Sequence, residues 1–139
     1  MLCDRILPAE LAGVWQQFAE VLGDCRETWY PWWDIRDIKA HLLTGDSQLW
    51  TVIDEKGIYL WFMTEIIIYP RQTELRIWWA SGVQFTACVP IVIPAMKSYA
   101  RHVGARTITM VGRTGFERVL KPFGVKVQNV TYAMEALDG

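Results

Sequence analysis

Glu65 and Glu74, on the central strands of this 139-residue chain, are carboxylates that could serve as a general base. Both fall in stretches rich in β-branched and aromatic residues, where a strand would hold a carboxylate at a fixed height above a sheet. One positioned proton acceptor of this kind accelerates a reaction by about 10²- to 10⁴-fold. The same two residues also suit a plain structural role, because each can pair with Arg71 or Arg76 along or across a strand. Other reactive side chains are sparse. Cys3, Cys25 and Cys88 are odd in number, widely spaced and without a C-x-x-C pair, and only His41 and His102 could join them. Reduced thiols and no metal site are the expectation.

Two further groups of residues invite function. Trp29, Tyr30, Trp32 and Trp33 crowd around Pro31 in a chain that already holds eight tryptophans. Tryptophan and tyrosine are enriched at binding hot spots, so the cluster is a candidate interface for a protein partner. It could equally cover the end of a sheet. The second group is electrostatic. Residues 1–65 carry eleven acids and five Lys or Arg, whereas residues 97–126 carry seven bases and the single acid Glu117. That basic stretch can bind phosphate, be solvated, or attract the acidic half. Nucleic-acid binding is the least favoured of these readings, because stacking platforms are few there: Tyr99, Phe116 and Phe123.

The elements that must position these residues follow from composition and periodicity. A chain that is 52% apolar and 21% charged, with a formal charge of -1, is expected to form one compact domain over residues 1–139. Leu11, Trp15, Phe18 and Leu22 recur at helical spacing after Pro8, and Gly23-Asp24 closes that helix. Asp34 caps a second helix carrying Ile35, Ile38, Leu42 and Leu43, with Gly45 at its end. Three antiparallel strands follow: Gln48 to Asp54, Ile58 to about Tyr69, and Glu74 to Ala80, where Leu75, Ile77 and Trp79 alternate with Glu74, Arg76 and Trp78.

Val89, Val92, Ile93, Met96, Ala100 and Val103 then mark a central helix whose start, around Pro90 and Pro94, is left open. A strand over Ala105 to Val111, a short helix over Arg113 to Lys121 and a closing strand over Val125 to Ala133 complete the chain. The expected class is α+β, a mixed sheet with an antiparallel meander. The longest apolar run, Ala87 to Met96, is too short and too broken to cross a bilayer, so no membrane insertion is expected. Residues 1–5 lack the features of a secretory signal, which points to the cytosol.

Residues 37–137 carry four short motifs in order: Gly45-Asp46-Ser47-Gln48-Leu49-Trp50, Thr64-Glu65-Ile66, Leu75-Arg76-Ile77 and Gly112-Arg113-Thr114-Gly115-Phe116. With the order of elements, this stretch resembles small proteins of tailed bacteriophages that have the fold of the GCN5-related N-acetyltransferases (GNAT). The resemblance implies a third strand that splays open and a following turn whose backbone N–H groups hold the pyrophosphate of acetyl-CoA. It places that turn at Ser81, Gly82, Val83, Gln84, Phe85, Thr86 and Ala87, and a proton donor for the departing thiolate four residues before Gly124.

This chain departs from the family pattern at both places. The turn has one glycine and a bulky Phe85, and the donor position holds Leu120. The expectation is therefore a phage protein acting through contact with a structural or host protein, in the host cytoplasm or incorporated in the virion, with no cofactor. The alternative is an acetyl-CoA-dependent N-acyltransferase. Its cofactor would be held by Ser81, Gly82, Gln84, Thr86 and Arg113, with Lys97 or Arg101 in support, and its base would be Glu65 or Glu74.

Overall fold

The computed structural model describes residues 1–26, 32–112, 116–128 and 130–136. Five strands form one sheet in the order β1 (Leu2–Ile6), β2 (Ser47–Asp54), β3 (Gly57–Ile68), β4 (Thr73–Gly82) and β5 (Thr107–Met110). The first four are antiparallel, and β5 lies parallel to β4. Helices α1 (Leu11–Asp24) and α2 (Ile35–Thr44) cover one face, α3 (Phe85–Val103) covers the other, and α4 (Phe116–Leu120) packs beside the start of α3. The mixed sheet, its meander and the helices on both faces match the α+β expectation.

Alternation along the strands sorts the side chains. Leu49, Trp61, Met63 and Trp79 meet Phe18, Leu22, Ile38 and Leu42 under α1 and α2. Trp50, Val52, Phe62, Leu75 and Ile77 meet Cys88, Val92, Met96 and Ala100 under α3. Apolar burial of this kind stabilises by about 25 cal/mol per Å², so the two layers carry most of the fold. Asp34 caps α2 as the sequence implies. Its Oδ1 accepts from the Arg36 N–H at 2.8 Å, and its own N–H donates to Asp37 Oδ2 at 2.9 Å. Gly45 ends the helix at a φ of 85°, a region that favours glycine.

Three features differ from the sequence expectation, and one, the start of the central helix, answers what the sequence left open. The first is β1, which no periodicity announces because Asp4 and Arg5 interrupt a five-residue run; it exists by pairing with β2, Cys3 against Val52 and Arg5 against Trp50. The second is α3, which runs straight through Pro90 and Pro94. Both prolines are exposed and four residues apart, so the carbonyls left without helical donors face water.

The third is a bulge. The β3–β4 register shifts between Met63 and Thr64, with Met63 opposite Trp79 and Thr64 opposite Ile77. The extra residue, Trp78, breaks the expected alternation, so Trp78 and Trp79 both pack on the α1/α2 side. The fourth is the closing strand over Val125 to Ala133. Residues 125–128 and 130–136 form no strand. A strand pattern becomes a strand only where an edge accepts it, and β5 offers four residues.

A buried polar chain ties the motif residues together. Trp50 Nε1 donates to Thr64 Oγ1 at 3.0 Å, Thr64 Oγ1 donates to Gln48 Oε1 at 2.8 Å, and Gln48 Nε2 donates to the Gly45 carbonyl at 2.8 Å. Thr64→Val keeps the shape and removes the hydroxyl, leaving a buried indole N–H and a buried amide oxygen unpaired. It should lower unfolding free energy by about 1–3 kcal/mol in a denaturant titration.

Candidate functional site

The parallel pairing of β4 with β5 is short. It joins Glu74 to Thr107, Leu75 to Ile108, Arg76 to Thr109 and Ile77 to Met110, and a last bond runs from the Val111 N–H to the Ile77 carbonyl at 3.0 Å. From Trp78 to Gly82, β4 has β3 as its one strand neighbour among the described residues. The sheet therefore divides beyond Ile77, and the bulge at Trp78 marks the point of division.

The walls of this opening are aromatic. On the α1/α2 side the Trp78 ring stacks on Trp33, with centroids 5.3 Å apart and an 18° tilt, and Trp33 meets the His41 ring edge-on at 4.7 Å. Trp78 Nε1 is buried and meets no acceptor among the described residues. Ser81 Oγ lies 3.0 Å from Cys25 Sγ, which ties the end of α1 to the far part of β4.

The turn from β4 into α3 is held against β3. The Val83 N–H donates to the Tyr59 carbonyl at 2.8 Å. A Cβ on Gly82 would stand 2.1 Å from that carbonyl oxygen and 2.7 Å from Leu60 Cα, so the space a glycine opens here is filled by the neighbouring strand. Gln84 takes a φ of 54°, the left-handed region in which a non-glycine residue is uncommon. The first helical bond of α3 runs from the Cys88 N–H to the Gln84 carbonyl at 3.1 Å. The N–H groups of Phe85, Thr86 and Ala87 precede it, as at any helix start.

Phe85, the first residue of α3, packs in the cluster that Met110 at the end of β5 also touches. Its ring stacks on Phe116 with centroids 4.6 Å apart and a 25° tilt. The Phe116 ring lies against Gly112, just past β5, where an added Cβ would come within 2.6 Å of Phe116 Cδ2. The pair thus bridges from the first residue of α3 to the chain leaving β5. Leu120, at the position of the implied proton donor, is buried against Val89 and Ile93.

The two candidate bases share one cation. Arg76 donates to Glu74 Oε2 through Nε at 3.0 Å and Nη2 at 2.9 Å, and its Nη1 lies 3.8 Å from Glu65 Oε1. Thr109 Oγ1 adds a donor to Glu74 Oε2 at 2.8 Å. The Glu74 side chain is 9% exposed and that of Glu65 32%. Three donor atoms thus converge on Glu74 Oε2, while Glu65 keeps access to solvent. Burial, with Asp4 and Cys88 adding to it, pushes the Cys3 thiol up to about 12, and burial also raises that of Cys88. Neither is a ready nucleophile.

The structure brings Ser81, Gly82, Gln84 and Thr86 to the far end of the opening, whereas Glu65 lies opposite Arg76, just before the division, and Glu74 lies opposite Thr107, at the end of the β4–β5 pairing away from it. Lys97 and Arg101 do not join them: on α3 they sit about 18 and 24 Å beyond its first residue at about 1.5 Å per residue. Trp29, Tyr30 and Arg113 lie outside the described residues. Of the aromatic cluster, Trp33 packs inward and Trp32 remains 82% exposed. Sequence reasoning missed the Phe85–Phe116 bridge and the part of Thr109. The Gly112-to-Phe116 spacing was the available signal for the first.

No family model matches the sequence, and no curated protein sequence matches it either. Solved structures do match over nearly the whole chain. A probable acetyltransferase superposes with a TM-score of 0.72 at 10% identity, covering 100% of both chains. An aminoglycoside acetyltransferase from an uncultured soil metagenomic sample, in complex with sisomicin, gives 0.68 at 10% identity over 97% of this chain and 95% of the other. The fold is GNAT-like. A transcriptional regulator from Bacillus halodurans C-125 also superposes, at 0.64 and 14% identity over 96% and 97%. Proteins of different names thus share this GNAT-like frame, and the frame alone does not fix an activity.

Arg76→Met strands the buried Glu74 carboxylate. It should lower stability by about 2–4 kcal/mol, somewhat below the full figure for breaking a buried pair because Arg76 is one-third exposed. Glu65→Gln, which removes only the 3.8 Å contact, should change stability by less than about 1 kcal/mol. Denaturant midpoints of the two variants test the ordering.

Proposed function

We propose that this chain uses an acyltransferase-like scaffold to contact another protein and does not transfer acyl groups. The observation that carries the reading is the Phe85–Phe116 stack over Gly112, because side chains of the protein itself occupy the opening of the sheet at the first turn of α3. The turn does not suit a diphosphate. Its one glycine, Gly82, gives its open side to the Tyr59 carbonyl, and its helix-entry residue is a stacked phenylalanine. Leu120 has no dissociable proton and is part of the apolar packing under α4.

Contact has a surface to work through. Trp32 leaves most of its ring in water beside the Trp33–Trp78 stack, and an exposed tryptophan next to a rigid aromatic pair is the composition of a hot spot. The resemblance at the four motifs supplies the kind of partner: a phage structural protein or a host protein, met in the host cytoplasm or within the virion. The second reading, acyl transfer with acetyl-CoA, is favoured by one feature. Glu65 is a solvent-accessible carboxylate near the division of the sheet, where a proton acceptor would be needed.

Calorimetry separates the two. Titration with acetyl-CoA should give no heat of binding up to millimolar cofactor, and micromolar binding would establish the acyltransferase reading instead. Trp32→Ala should change unfolding free energy by less than about 0.5 kcal/mol, as expected of a surface residue outside the core. A loss beyond about 1 kcal/mol would make Trp32 a packing residue and remove the contact surface.

A further inference from the structure

We infer that Arg5, Tyr99 and His102 form a binding site for a phosphate monoester, on the α3 side of β1 and apart from the opening of the sheet. Arg5 stands on the edge strand opposite Trp50. Its half-buried side chain meets α3, where its Cζ lies 5.4 Å from the centre of the Tyr99 ring. Tyr99 in turn packs edge-on against Trp50 with centroids 5.0 Å apart, and His102, almost one helical turn on, holds its ring 6.4 Å from that of Tyr99. Trp50 is buried and gives its indole N–H to Thr64, so Tyr99 is a fixed platform beneath a cation. The turn that opens α3 is remote. Tyr99 follows Phe85 by 14 residues, about 21 Å along the helix at about 1.5 Å per residue.

The Arg5 guanidinium lacks an internal counter-charge. Among the described residues it makes no ion pair and donates no hydrogen bond, and its Nε is buried without an acceptor. Strand alternation puts Asp4 on the opposite face, and residues 97–112 hold Lys97, Arg101 and Arg106 and no acid. A partly buried donor left unpaired is costly, and a bound acceptor relieves that cost. With Nε enclosed, the Nη1–Nη2 edge is the one a ligand can reach, and its two parallel N–H groups match two oxygens of an oxyanion. His102 is exposed and has an N–H donor in either protonation state for a third oxygen. A carboxylate has only two oxygens, both taken by the guanidinium. A phosphate monoester has three terminal oxygens and more charge, so this donor set favours it. The negative end of α3 acts against an anion here, and the basic side chains in its last turn, Arg101 and His102, offset it.

Methyl phosphate is the probe, titrated into the full chain and followed by NMR at about pH 7.5, where it is a dianion because its second pKa is about 6. Signals of the Arg5 Nε–H, the Tyr99 ring and the His102 ring should shift together and saturate with one dissociation constant. Sodium chloride at equal ionic strength should not reproduce the shifts. Dimethyl phosphate and acetate, each a single negative charge, should bind at least about tenfold more weakly. Arg5→Lys keeps the charge without the two-pronged edge and should weaken binding about tenfold, and His102→Ala, at an exposed position, about threefold. Shifts that grow without saturating would overturn the inference. So would saturable shifts at the amides of Phe85, Thr86 and Ala87 with Arg5 unmoved, acetate binding as tight as that of methyl phosphate, or undiminished binding by the Arg5→Lys variant.

Discussion

The brevity of one parallel pairing organises this molecule. β4 and β5 share four residue pairs and then part, because the bulge at Trp78 turns the strand just where β5 ends. A parallel pair that stops early leaves backbone groups without a strand partner along the far half of β4, and the elements around it respond to that vacancy. Trp33 and Trp78 stack on one side, Cys25 and Ser81 meet at the end of α1, and Phe85 and Phe116 close over Gly112 on the other side.

The division is also what makes the GNAT-like scaffold adaptable. In this chain aromatic rings stand beside the opening, and an internal stack has the advantage that its members are already ordered by the helices that carry them. Phe85 is fixed by the first turn of α3 and Phe116 by the first turn of α4, so the stack costs little further entropy once those helices dock. At the paired end, Arg76 resolves a different problem by placing one cation between two carboxylates, and Thr109 reaches from β5 to complete the shell of Glu74. Polar groups are thus consumed along the paired stretch and apolar rings beside the opening.

Much of this was legible in the sequence. Helical periodicity identified Leu11, Phe18 and Leu22, and Ile38 and Leu42, as core residues, and the caps Asp34 and Gly45 stand where their types require. The motif residues Gln48, Trp50 and Thr64 could be seen as a pattern, but their purpose could not, because a hydrogen-bond chain across two strands exists only once register is set. Trp78 misled for a related reason: an alternating string reads the same with or without an extra residue opposite it, and the bulge is a property of the pairing. Pro90 and Pro94 argued against a continuous helix on local grounds, and their shared exposed face answers that argument. In the last segment, propensity spoke for a strand where the single chain provides too little edge.

The claim on which this reading rests is that the protein's own aromatic rings occupy the opening of its sheet. Proton NMR tests it most directly, through cross-relaxation between the ring protons of Phe85 and Phe116. Their 4.6 Å separation predicts a strong ring-to-ring effect that persists unchanged in the presence of acetyl-CoA, with the amides of Phe85, Thr86 and Ala87 unmoved. Loss of that effect on adding acetyl-CoA, with shifts at those three amides, would show that the rings yield to a ligand and would contradict the account.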